Sequence, residues 1–127
     1  MTIKNYLIAL FLVGIFFHFG GAQSKDYILS KASAFCHGSK DCKIAKNSKK
    51  TASGLLVGRG VVAASKRYKL GSKIEILEPK EYAGIYIVAD RGGERVENGM
   101  IDIWMPTQAE CIQFGVKTIK LKIIHAN

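Results

Sequence analysis

The stretch Ile85–Met105, IYIVADRGGERVENGMIDIWM, decides how this chain is read. Two apolar runs, IYIVA (85–89) and MIDIWM (100–105), flank a polar, glycine-bearing loop, which predicts two strands joined across a site. Asp90 closes the first run, and Asp102 interrupts the second between Ile101 and Ile103. An unpaired buried carboxylate is costly, so two of them at the ends of one loop mark a polar site on an otherwise apolar sheet.

Upstream of this stretch, Lys73–Leu77 alternates, with Ile74 and Ile76 on one face, and Pro79 stops it. Val61–Ala64 is a short β-type run; Thr51–Gly54 and Gly58–Gly60 are turns; Ser65–Lys69 is polar, and Leu70-Gly71-Ser72 turns into the next strand. Lys31–Phe35 alternates as a first strand, which places the first barrel strand at 31–36, after a polar lead-in from Ser24. Downstream, Pro106 changes the period. Thr107-Gln108-Ala109-Glu110 has the form of a capping box; Ala109, Ile112 and Phe114 mark the buried side of a two-turn helix, and Gly115 ends it. Val116–Ile124 is a last strand with Ile119, Leu121 and Ile123 on its inner face. The expectation is a mostly β fold: a small six-stranded closed barrel with one short helix.

The first 22 residues read as a leader. One cation, Lys4, precedes the apolar run Leu7–Phe19, and Gly20, Gly21 and Ala22 follow it. This is the pattern of a secretory signal peptide, and an uncleaved membrane anchor is the other reading. The run is short for a full span of roughly 20 residues. The chain thus divides into a signal at 1–22, a lead-in strand and basic surface loop at 23–50, and a barrel core at 51–127. The expected location is exported: periplasm, cell envelope or extracellular. A membrane is expected as a partner only through an uncleaved signal.

The chain holds 19 Lys and Arg against 10 Asp and Glu. Without residues 1–22 the balance is 18 against 10, a net charge of +8. Much of this charge sits in Lys40–Lys50, which reads either as a solvated loop or as an attachment patch for anionic envelope polymers. Nucleic acid is excluded as a partner, because the patch has no interleaved aromatic residues and export removes the usual ligand. Cys36 and Cys42 flank a short flexible loop and suit a disulfide, which leaves Cys111 as a free thiol packed in the helix. A metal site from Cys36, His37 and Cys42 lacks a fourth ligand, so no metal or other cofactor is expected.

The ordered set TASG, GVVAAS, KLGSKIEI, VADRGG, ENGMIDIWM and AECIQFG, followed by a closing strand, resembles the three-aspartate domain over Thr51–Ile124. That domain is a double-psi β-barrel of bacterial cell-wall proteins. It is similar to the catalytic barrel of membrane-bound lytic transglycosylase A and to stationary-phase muralytic factors, and more distantly to rare lipoprotein A and expansins. Asp90 and Asp102 match two of the family's three aspartates. At the third, in an A-V-D-P segment of the family, this chain has Ala63-Ala64-Ser65-Lys66, so Ser65 stands where the acid would be.

The resemblance implies cleavage of peptidoglycan glycan strands without water. An acid protonates the glycosidic oxygen, and the muramic sugar's own 6-hydroxyl closes onto C1, giving a 1,6-anhydro product. The attack is intramolecular, so positioning supplies much of the rate and one carboxylate suffices as acid and then base. That acid must hold its proton near neutral pH, which apolar surroundings favour. Asp102, among Ile101, Ile103 and Trp104, fits the acid/base role, with Asp90 as its partner. Gly92 and Gly93 would let backbone amides approach the glycan, and Thr51, Ser53, Ser65 and Asn98 would offer hydrogen bonds. Trp104 either stacks on a sugar or packs in the core. Asp90 before Arg91-Gly92-Gly93 also suits a turn aspartate bonding its own backbone, and Asp102 a satisfied structural carboxylate. The alternative function is a non-catalytic, expansin-like glycan-binding module.

Overall fold

The structure is a computed structural model and describes residues 26–42 and 49–124. The leader and most of the basic loop (43–48) therefore lie outside the described residues. Six strands close into a barrel: β1 (Ile28–Phe35), β2 (Val61–Ala63), β3 (Lys73–Glu78), β4 (Gly84–Asp90), β5 (Ile101–Trp104) and β6 (Lys117–Ile124). Their order around the barrel is β1-β5-β2-β4-β3-β6. Adding three to each strand number, and counting round from six to one, regenerates the same ring of neighbours. The barrel is thus two topologically equivalent halves, β1–β3 and β4–β6. The parallel pair β1/β5 corresponds to the parallel pair β4/β2, and the remaining pairs are antiparallel. Parallel neighbours need crossover connections, so the halves interlock and cannot be pulled apart as hairpins.

Alternation along the strands builds the core. Ile74 and Ile76 of β3, Ile101 and Ile103 of β5, Ile119 and Leu121 of β6, with Val62 and Val88, are fully buried. At about 25 cal/mol per Å² of apolar surface removed from water, each such side chain contributes about 1.5–3 kcal/mol. β1 begins three residues before the strand expected at 31–36, because its pairing with β6 extends from Ala32↔Lys117 back to Ile28↔Leu121. Backbone hydrogen bonding, which the exposed side chains of Ile28 and Leu29 conceal, sets that start. β3 stops at Glu78, before cis-Pro79, and a single 3₁₀ turn follows (Lys80–Tyr82).

Among the described residues there are two α-helices where one was expected. α1 (Glu94–Glu97) is one turn inside the glycine loop, and α2 is Gln108–Phe114. Thr107 caps α2, its hydroxyl accepting from the Glu110 amide at 3.1 Å. The return half of the capping box is absent: the Glu110 carboxylate accepts instead from Arg59 at 2.9 Å. The buried side of α2 also differs from expectation. Phe114 is buried and meets the Tyr82 ring edge-on at 4.7 Å, and Cys111 packs partly against the core, but Ala109 and Ile112 face solvent. Cys111 and Phe114 are three apart and share a face, the narrow stripe by which α2 meets the apolar core.

Cys36 and Cys42 form a disulfide, and Cys111 is free. With both sulfurs in the bridge, neither is a metal ligand. The bridged loop is tied to the start of α2 through the Ser39 hydroxyl, which donates to the Pro106 carbonyl, and through an Asp41–Thr107 bridge. Such a disulfide suits an oxidising compartment. Among the described residues no helix is long and apolar enough to cross a membrane.

Candidate functional site

Asp102 sits in β5 between two core residues, so strand alternation turns it off the core, onto the face shared with Trp104. Its cross-strand neighbour on β1 is Ser33, whose hydroxyl donates to Asp102 Oδ1 at 3.0 Å. The carboxyl is neither sealed nor free in water: it is half-buried and lines a cavity of about 420 Å³. That volume lies within the roughly 300–1,000 Å³ of small-ligand sites. The cavity is walled by the end of β1, the disulfide loop and α2, with Arg95 of α1 reaching in and exposed Ile112 at the rim. Burial pushes the Asp102 carboxyl above its ordinary value of 3.8; the Ser33 hydrogen bond and the charges of Arg95 and His37 pull it back only in part. The result is an acid that holds its proton longer than a surface aspartate and faces a cavity of ligand size.

Asp90 belongs to a second cluster. A bulge between β2 and β4 puts Val88 opposite Val62 but Asp90 opposite Ala63, so Ala89 is the extra residue. Asp90 Oδ1 accepts from the amides of Ala52 at 3.0 Å and Arg91 at 2.9 Å. These bonds pin the 51–55 turn to the end of β4, together with the Ser53 amide on the Ala89 carbonyl. Thr51 is buried, shares a 3.0 Å hydroxyl contact with Ser53 and donates to the Leu55 carbonyl. The Arg91 guanidinium donates to the carbonyls of Ala64 and buried Ser65.

Ala63 joins the two clusters: it is in register with Asp90 on one side and Asp102 on the other. Two strand spacings put the aspartate Cα atoms about 10 Å apart. Asp90, Thr51, Ser53 and Ser65 are thus one group, and Asp102 with its cavity is another, adjacent one. The remaining expected site residues lie as follows. Gly92 is required by packing: a Cβ there would stand 2.3 Å from Val96 Cγ2. Gly93 caps α1, and Asn98 ends it, its amide donating to Glu94 and Val96 carbonyls. Trp104 is half-buried off the core, and its Nε1 donates to the His37 carbonyl at 2.9 Å.

Ser33, Arg95, Gln108 and Cys111 line the cavity or touch Asp102 without having been singled out as site residues, and His37, weighed only as a metal ligand, lines it too. Ser33 carried a signal: it is the hydroxyl at the polar position of KASAF. The others come from loops and helices whose placement depends on closure of the barrel. No protein-family model matches this chain, and no curated protein matches it.

Proposed function

We propose that this chain is an exported lytic transglycosylase of peptidoglycan, built on a double-psi barrel of the three-aspartate type. The observation behind this reading is the Asp102 carboxyl, raised by burial, held by Ser33 and facing a cavity. The closed ring of six strands and its repeated halves support the barrel type. In this reading Asp102 protonates the oxygen leaving C1 of the muramic sugar, then accepts the proton of the 6-hydroxyl as it closes the anhydro ring. Ser33 fixes the carboxyl's rotamer, and Arg95 offers a cation to the acidic sugar. Asp90 serves as a positioning residue, since its bonds to the Ala52 and Arg91 amides hold the 51–55 turn.

Two observations favour a second reading, a glycan-binding module that does not cut. Ser65 stands buried where the family's third acid would be, and Asp90 is engaged by loop amides. Incubating the full chain with purified peptidoglycan separates the two. Release of anhydro-muropeptides by wild type and none by Asp102→Asn supports the enzyme. Pelleting with the wall and no release by either protein supports the module.

A further inference from the structure

A second cavity lies elsewhere and shares no lining residue with the Asp102 site. It measures about 660 Å³ and is walled by the β2–β3 loop, the start of β3 and the end of β6. Three cations line it, Arg67, Lys69 and Lys73, around an apolar strip of Leu70, Ile123 and Ile124. Among the described residues the ion pairs join Arg59, Lys117, Lys120 and Lys122 to carboxylates, and none uses these three cations. The acid nearest in sequence, Glu75 on β3, is held by Lys122 at 3.1 Å. With no ion pair to these three among the described residues, the groove presents net positive charge, which favours an anion.

The loop that carries them is fixed. The Ser72 amide and hydroxyl both donate to the Lys69 carbonyl, and the Tyr68 amide donates to the Ser65 carbonyl. Gly71, at φ +87°, lets the chain turn back so that its amide reaches the Val88 carbonyl at 2.8 Å, while the Val88 amide returns to Ser72 at 2.9 Å. Buried Tyr68 anchors the middle of the loop in the core. The backbone is ordered before any ligand arrives, so binding costs less conformational entropy.

We propose that this groove binds a phosphate ester, with the phosphate among Arg67, Lys69 and Lys73 and the uncharged part of the ligand on Leu70, Ile123 and Ile124. The inference does not depend on whether Asp102 cuts glycan. Phosphate suits the site because its several oxygens can engage three cations at once, and an arginine fork takes two of them. The ester has two chemical sources, a soluble or polymeric glycerol phosphate and a lipid headgroup.

The test uses the full chain at physiological ionic strength. It is titrated with sn-glycerol 3-phosphate, with glycerol as the uncharged control, and mixed with phosphatidylcholine vesicles with and without phosphatidylglycerol. Saturable binding of the soluble ester, absent for glycerol, upholds the proposal with a free or polymeric source. Excess binding to the anionic vesicles alone upholds it with a headgroup source. Lys69→Gln and Lys73→Gln should each weaken the interaction by about tenfold, the scale of one charge-assisted hydrogen bond. Lys31→Gln, which removes a cation outside the groove, should leave it unchanged. No binding in either arm, or equal weakening by Lys31→Gln, overturns the proposal.

Discussion

Replacing Gly92 with alanine drives a methyl group into Val96. The new Cβ would lie 2.3 Å from Val96 Cγ2, 2.5 Å from its Cβ and 2.9 Å from Cγ1, where ordinary contact begins at 3.4 Å. Val96 is the buried residue of α1, so it has no open space to retreat into. Overpacking of this kind costs about 1–3 kcal/mol. For a domain near 100 residues, a loss of about 2 kcal/mol lowers Tm by about 10 °C. Val96→Ala alone removes two buried methyl groups and costs about 2 kcal/mol. Combined, the two changes relieve each other only in part, because the Cβ of residue 96 stays at 2.5 Å. The double variant should be about 1 kcal/mol more stable than the sum of the singles predicts. Urea unfolding of the four proteins measures this coupling. Additive effects, or an unchanged midpoint for Gly92→Ala, would refute the packing role and return this glycine to the ligand-approach role first expected of it. The coupling bears on the site, because α1 also carries Arg95 into the Asp102 cavity.

Other perturbations reach the rest of the account. Asp102 holds its proton more tightly folded than unfolded, so wild-type stability should fall as pH rises from near 3.8 through the raised folded value, with the loss complete above it. Asp102→Asn carries no charge in either state; thermal melts across pH should show that fall removed and a higher Tm than wild type at neutral pH. Replacing Cys36 and Cys42 with serine should cost about 2 kcal/mol, the loop-closure value for so short a loop, read by denaturant midpoint under oxidising conditions. Thr107→Ala removes the hydroxyl that accepts from the Glu110 amide and should cost about 1 kcal/mol.

Much of the barrel was legible because alternation at Lys73–Leu77 and Val116–Ile124 and the apolar run at Ile85–Ala89 are local properties, and each segment became a strand. The start of β1 was not legible, since it depends on which residues of β6 lie opposite Ile28 and Leu29. Helix α1 was hidden because four residues between glycines and Asn98 leave no periodicity to read. Ile112 was misplaced because an apolar residue at helical spacing reads as core, whereas this one is 73% exposed at the rim of a cavity. The two aspartates were visible as anomalies in apolar runs. Their separate hydrogen-bond partners were not, because Ser33 of β1 and Ala52 of the 51–55 turn meet them only once the barrel closes. Gly92 reads as a ligand-facing glycine in sequence, and only the folded loop reveals Val96 against it.

The central claim is that Asp102 makes the muramic 6-hydroxyl, rather than water, the attacking group. Digesting peptidoglycan with the full chain in heavy-oxygen water and weighing the fragments tests it most directly. The account predicts anhydro-muramic ends that carry no label from solvent, and none of them with Asp102→Asn. Reducing ends carrying heavy oxygen would contradict it, and so would undiminished release by the Asp102→Asn protein.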